Sequence, residues 1–171
     1  MKFRLATEND IPKINIMFKF IIENMNKHNL DVWNDLYPFC EFENDVKNNS
    51  MYVFENNNSE IIASITICDK TAGFRSFAWE NKKAPAYYLD RLAVNVKFLK
   101  QGLGSKLIQE IEKIAKLDGI EYLRLLVVNS NTPAINFYLK NGFTQVKGKF
   151  KEYIKEQRTN MVYFAYEKKL A

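Results

Sequence analysis

A chain of 171 residues with 47% hydrophobic content, 13 Phe and 9 Tyr has the length and apolar supply of one compact domain, and nothing of the polar, aromatic-poor composition of a disordered chain. One histidine, His28, and two separated cysteines, Cys40 and Cys68, argue against a disulfide framework, a standard zinc site and a Ser/His/Asp triad with a spare base; the two thiols are expected to be packed, in a reducing compartment. The formal net charge of +5 is scattered among acids, as in Glu110-Ile111-Glu112-Lys113, which reads as solvated surface and lacks the clustered basic face of a nucleic-acid binder.

The opening residues MKFRLATENDIPK are charged at once and contain no apolar h-region, and no run approaches the roughly 18 apolar residues that span a bilayer. A cytoplasmic chain with no membrane partner is expected. Lys2 to Ala6 reads as a short strand. Thr7 then caps a helix, with Asp10 three residues on and Pro12 inside the first turns. Ile11, Ile14, Phe18, Ile21, Ile22 and Met25 recur at helical spacing, which carries that helix to about Asn29. Asn29 to Cys40 is an aromatic-rich loop or broken helix, and Glu41 to Asn48 a short helix.

Met51 to Glu55 and Glu60 to Asp69 read as strands joined by the turn Asn56-Asn57-Asn58-Ser59. Thr71 to Pro85 has no period and reads as a loop, followed by a strong strand over Tyr87 to Val96. Gly102 to Leu117 is a helix with Leu103, Leu107, Ile111 and Ile114 on one face and Gly119 as its stop signal. Tyr122 to Val128 is a nearly continuous apolar strand, the pattern of burial on both faces. Pro133 to Lys140 is a short helix capped by Thr132 and left at Gly142, and Phe143–Phe150 with Met161–Lys168 forms a closing antiparallel pair. The order β-α-α-β-β-β-α-β-α-β-β predicts an α/β fold (α+β by stricter usage). It has a mixed central sheet of about seven strands, helices on both faces, and a single domain over residues 1–171.

The segment Asn95 to Ser105 lies between a strand and a helix and reads N-V-K-F-L-K-Q-G-L-G-S. Gly102 and Gly104 remove two Cβ atoms, so the backbone can turn tightly and approach a ligand. The amides of Lys100, Gln101, Gly102, Leu103, Gly104 and Ser105 would then point out from a helix start, where unpaired N–H groups and the positive dipole end favour an anion. Lys97 and Lys100 add positive charge. A pyrophosphate would suit this geometry. The same two glycines equally serve a plain tight turn, and they fit neither the longer dinucleotide pattern nor the Walker pattern.

Leu99 to Gly104 resembles the pyrophosphate motif Q/R-x-x-G-x-G/A of the GNAT family of N-acetyltransferases. Both glycines match, and Leu99 stands where the family has Gln or Arg, which leaves the backbone amides to carry the phosphate contacts. Leu89-Asp90-Arg91-Leu92-Ala93-Val94 is similar to the family's fourth strand. Asn129 to Phe143 resembles a second signature, N-x-x-A-x-x-F-Y-x-x-x-G-F, with Asn131, Ala134, Phe137, Tyr138, Gly142 and Phe143 matching. The two blocks stand in the family's order and spacing across residues 87 to 143.

The resemblance implies an acetyltransferase that uses acetyl-CoA as cosubstrate and no metal. A bulge in the fourth strand would free backbone groups of Leu92, Ala93 and Val94 to pair with the pantetheine arm. Asn131 would contact the pantetheine or acetyl region, and Ala134, Phe137 and Tyr138 of the same signature would also bind the cosubstrate; alone, Asn131 reads equally well as a helix cap. Tyr138 takes the family's position for the general acid that protonates the leaving thiolate. An ammonium with a pKa near 10.4 must lose a proton before it attacks. Asp90 is a candidate base if no bulge breaks its parity with Leu92 and Val94; a surface ion pair with Arg91 and a water chain are the alternatives. Trp33, Tyr37, Phe39 and Trp79 could wall an acceptor cleft or simply pack. The expected acceptor is a small primary amine, with a protein N-terminus or lysine as the alternative, and a non-catalytic acetyl-CoA-binding or nucleic-acid-binding domain as readings of another class. Monomer and homodimer are both compatible with the chain.

Overall fold

The computed structural model describes residues 1–154 and 159–170. Its strands are β1 (Lys2–Leu5), β2 (Met51–Glu55), β3 (Ile61–Cys68), β4 (Ala86–Val94), β5 (Tyr122–Val128), β6 (Thr144–Ile154) and β7 (Thr159–Lys169), and its helices are α1 (Ile11–Lys27), α2 (Phe42–Lys47), α3 (Leu103–Leu117) and α4 (Thr132–Lys140). The strands form one seven-stranded sheet in the order β1-β2-β3-β4-β5-β7-β6. β1, β2 and β3 pair antiparallel, β4 and β5 pair parallel from Ala86↔Tyr122 to Leu89↔Leu125, and β7 is antiparallel to both β5 and β6. The sheet is mixed, as the element order predicts.

The chain divides into two compact units, residues 1–67 with 90–111 and residues 68–89 with 112–171. The core of the first is built by the helical spacing read from the sequence. Ile14, Met17, Phe18 and Ile22 of α1 are buried at 3- and 4-residue intervals. Ile14, Met17 and Phe18 share a cluster with Phe42 and Val46 of α2, Met51 and Val53 of β2 and Ala93 of β4. The start of α1 is set by Asp10, whose Oδ2 accepts both the Thr7 N–H and the Thr7 hydroxyl at 2.8 Å. Arg4 adds a bidentate bond to the same carboxylate at 2.7 and 2.9 Å. These guanidinium hydrogen bonds hold the Asp10 carboxyl well below the usual carboxylate range. Residues Glu8–Asp10 form a 3-10 turn before the helix proper begins.

The second unit has a different core, with Phe77, Trp79, Tyr88, Val146 and Ala165 buried together. Its β6–β7 pair extends past the segments read from the sequence, to Ile154 on one side and from Thr159 on the other. The register shifts between Val146 and Phe150. Gly148 sits there at φ 129, and a Cβ on it would run into the Ser76 carbonyl oxygen. Glycine is needed at this position because neither the angle nor the space admits a side chain.

Two further expectations need correcting. Cys40 is exposed, while Cys68 is half-buried. Strand β4 stops at Val94 instead of Val96. The Asn95 N–H donates to the Ile62 carbonyl at 2.9 Å, and the Asn95 side chain accepts the Lys97 N–H at 3.1 Å and opens a 3-10 turn over Val96–Phe98. No helix among the described residues is long and apolar enough to cross a membrane. No group of three or more His, Cys, Asp or Glu among them is arranged to hold a metal ion.

Candidate active site

In the first unit, the chain leaves the 3-10 turn at an extended Leu99 and reaches α3 through two left-handed residues, Lys100 at φ 61 and Gly102 at φ 75. The first bond of the helix runs from the Lys106 N–H to the Gly102 carbonyl at 3.0 Å. The amides from Leu103 to Ser105 therefore precede the intrahelical ladder, as the first turn of any helix requires. A Cβ built on Gly102 would meet nothing within 4 Å, so the space before this turn is open. Lys100, Gln101 and Gly102 are exposed, whereas Leu103 and Gly104 are buried and anchor the turn. Leu99 is also exposed.

Strand β4 carries the second feature. Tyr88 and Leu89 are buried in succession, after which buried Arg91 and Ala93 alternate with half-buried Asp90, Leu92 and Val94. Arg91 is left-handed, at φ 48. The condition set on Asp90 from the sequence, an unbroken strand, is thus not met, although Asp90, Leu92 and Val94 still share the same degree of exposure.

The Arg91 guanidinium makes two bonds to Asp45, Nε to Oδ2 and Nη2 to Oδ1, both 2.7 Å. Its Nη1 also donates to Asp90 Oδ2 at 2.9 Å, and the Arg91 N–H donates to Asp90 Oδ1 at 2.8 Å. The Tyr37 hydroxyl lies 3.4 Å from both Asp90 Oδ1 and Arg91 Nη1. Burial opposes the charged form of Arg91, but the Asp90 and Asp45 carboxylates outweigh it and hold its pKa above the ordinary value. Burial likewise pushes the Asp45 carboxyl up, against the pull of Arg91. The Asp90 side chain is 46% exposed, so one carboxylate of this group is open to solvent.

In the second unit, Asn131 does what a helix cap does: its side chain accepts the Ala134 N–H at 3.2 Å and its own N–H donates to the Val128 carbonyl at 2.9 Å. Tyr138 on α4 is half-buried, with its ring edge-on to Phe137 at 5.2 Å and to buried Phe143 at 5.6 Å. The ring is set by packing, and its position in the helix leaves it partly exposed. Ala134 and Phe137 are half-buried on the same helix.

The aromatics named from the sequence part company. Tyr37 joins the Asp90–Arg91 group. Trp33 is half-buried against Phe18, ring centres 5.2 Å apart. Trp79 is 4% exposed, with Phe74 and Phe77 beside it, Arg124 over its ring at 4.9 Å and its Nε1–H donated to the Phe74 carbonyl. That ring is occupied by packing.

The sequence reading missed Asp45. The signal was available: Phe42, Asp45 and Val46 fall at i, i+3 and i+4, which puts an acid on the apolar face of α2. A buried carboxylate requires a cation, and the sequence did not say that Arg91 would supply it.

A profile of the acetyltransferase (GNAT) family matches residues 18–143. No curated protein matches by sequence. Among solved structures, a GNAT-family acetyltransferase from Streptococcus agalactiae superposes with a TM-score of 0.83 at 19% identity, over 98% of this chain and 94% of that one. One from Listeria monocytogenes gives 0.74 at 20% identity, over 99% and 94%. A ribosomal-protein-alanine N-acetyltransferase from Brucella melitensis gives 0.71 at 19% identity, over 99% and 100%. At such identities the structures establish a shared fold, and the family match extends it to descent: this chain belongs to the GNAT acetyltransferase family.

Proposed function

We propose that the protein transfers the acetyl group of acetyl-CoA to the primary amine of a small molecule, by direct attack in a ternary complex on one catalytic domain. The observation that carries the donor half is the open turn at Gly102, left-handed and running straight into α3. A pyrophosphate placed there meets the amides of Lys100 to Ser105 and the positive end of the helix, with Lys100 adding charge. Acetyl-CoA supplies a thioester, whose carbonyl is attacked and whose sulfur leaves as a thiolate. The backbone of Leu92, Ala93 and Val94 holds its pantetheine arm.

The acceptor half rests on Asp90. A half-exposed carboxylate beside the Tyr37 hydroxyl attracts an incoming ammonium and takes its proton, directly or through water. Tyr138 donates its phenolic proton to the departing sulfur, which otherwise leaves as the anion of a thiol with a pKa of about 8.5. Asn131 orients the amide end of the pantetheine while capping α4.

Tyr138→Phe tests the mechanism. The ring and its packing stay and only the hydroxyl goes, so kcat should fall by roughly two orders of magnitude while acetyl-CoA Kd barely moves. Turnover within about twofold of wild type removes Tyr138 from the chemistry. The acceptor class is read by CoA release over simple amines, polyamines, aminoglycosides and peptides. Turnover confined to peptides would move the acceptor to a protein N-terminus or lysine.

A further inference from the structure

Arg91 holds a left-handed backbone, φ 48, in the middle of a strand. A residue with a Cβ is crowded in that region, and such a conformation persists only where the surroundings over-determine it. Asp45 supplies the determination. Its carboxylate receives the guanidinium at two points, both 2.7 Å, in the fork geometry that fixes orientation as well as distance. Asp45 is itself held. The Thr66 hydroxyl donates to its Oδ2 at 3.1 Å, and its carbonyl accepts the Ser50 N–H and the Ser50 hydroxyl, each at 2.9 Å. The side chains of Asp45 and Arg91 are each 6% exposed, so neither is placed to touch a substrate.

We propose that Asp45 is a positioning residue for the donor strand: by clamping Arg91 from α2 it maintains the left-handed bend that presents the backbone of Leu92 to Val94. The clamp matters for catalysis only if those residues hold the pantetheine arm, so this inference rests on the reading above. Removing the clamp should loosen residues 91–95, so that the bend is no longer held in one geometry, while the rest of the protein keeps its fold.

Asp45→Asn keeps the size and loses the charge-assisted fork. Amide exchange of the unliganded protein should accelerate about tenfold or more from Arg91 to Asn95, with Leu123 and Leu125 of β5 unchanged as the internal control. Acetyl-CoA Kd should weaken about tenfold in the folded variant. Exchange unchanged at 91–95, or raised equally in β5, would overturn the clamp. Adding Arg91→Gly removes the buried cation and accepts the left-handed angle without strain, so the double variant should bind acetyl-CoA within about threefold of wild type. If Asp45→Asn alone does not fold, the double variant is the measurement. A folded double variant with affinity lost by more than about tenfold would assign the effect to the missing charge and overturn the positioning role. A wild-type protein that binds no acetyl-CoA would sink the donor reading instead, and the exchange comparison still decides the clamp.

Discussion

Arg91 and Arg124 are both strand arginines buried against a carboxylate, and they are built on opposite terms. Arg124, 1% exposed, lies in regular β5. Its Nε meets Glu167 at 3.1 Å, its Nη2 the Asn81 carbonyl at 2.6 Å, and its face is covered by Trp79 at 4.9 Å and Tyr122 at 5.0 Å. Glu167 in turn accepts the Glu80 N–H at 2.8 Å. One cation, one carboxylate and the backbone of the 79–82 loop close on themselves, so the group serves as framework. Arg91 instead sits on a left-handed bend and has two carboxylates, one of them half open to water. The difference separates framework from proposed site: a buried ion pair with matched charge on a regular backbone is costly to break, while the unmatched one on a distorted backbone leaves a carboxylate facing water, where the proposed chemistry needs it.

The contrast can be broken from either side. Glu167→Ala leaves the Arg124 charge buried with a lost partner, and it should destabilise the protein by about 3–5 kcal/mol in chemical denaturation. Acetyl-CoA affinity of the remaining folded protein should be unchanged; a loss of less than about 1 kcal/mol would deny Arg124 its framework role. Asp90→Asn should do the reverse. Roughly hundredfold is expected from kcat/KM, the low end for a general base, with little change in the unfolding midpoint, since the affected side chain is half exposed. Equal turnover in Asp90→Asn would leave the proton to water and reduce Asp90 to a surface partner of Arg91.

Smaller effects sharpen the picture. Gly102→Val places a side chain in the open space before α3 and on a left-handed residue, and it should weaken acetyl-CoA binding about tenfold by calorimetry. Unchanged affinity in the folded variant would remove the anion site from this turn. Asp10→Asn concerns a third ion pair, between buried Asp10 and half-buried Arg4, and should cost about 1 kcal/mol or more at neutral pH through loss of the cap and its Arg4 bond. Because Arg4 depresses the folded carboxyl, its contribution is complete above the ordinary carboxylate pKa of about 4 and is lost as pH falls through the folded value. The stability gap between wild type and Asp10→Asn should therefore begin to narrow below about pH 4 and close only as pH falls through the depressed folded value, and a gap that does not narrow at all in acid would show that charge is not its source.

Periodicity alone placed α1, α3 and β5 to within a few residues of their observed bounds, because each buries a face whose spacing is local. Thr7 and Asp10 were read as a cap from three residues of separation. Their partner Arg4 was not, since nothing local links a strand residue to a helix start. The β6–β7 pair was read short because its outer residues, Lys151 to Tyr153, are exposed and carry no apolar alternation to mark a strand. Asp90 was singled out from its strand and Tyr37 from its aromatic segment, but their meeting 53 positions apart in the chain lies beyond any pattern in either segment.

The sequence by itself determined the elements, the mixed sheet and the two motifs that mark the family, because caps, glycines and apolar periods act over a few residues. Tertiary structure decided the rest. It inserted β7 between β5 and β6, so that the last strand covers the hydrophobic β5 and β6 takes the edge with its lysines outward. It buried Trp79 under Arg124 and kept Tyr37 at the Asp90 carboxylate. It also bent β4 at Arg91, an angle no local preference of arginine favours and one that the Asp45 carboxylate, 46 residues away, compensates with two charged hydrogen bonds.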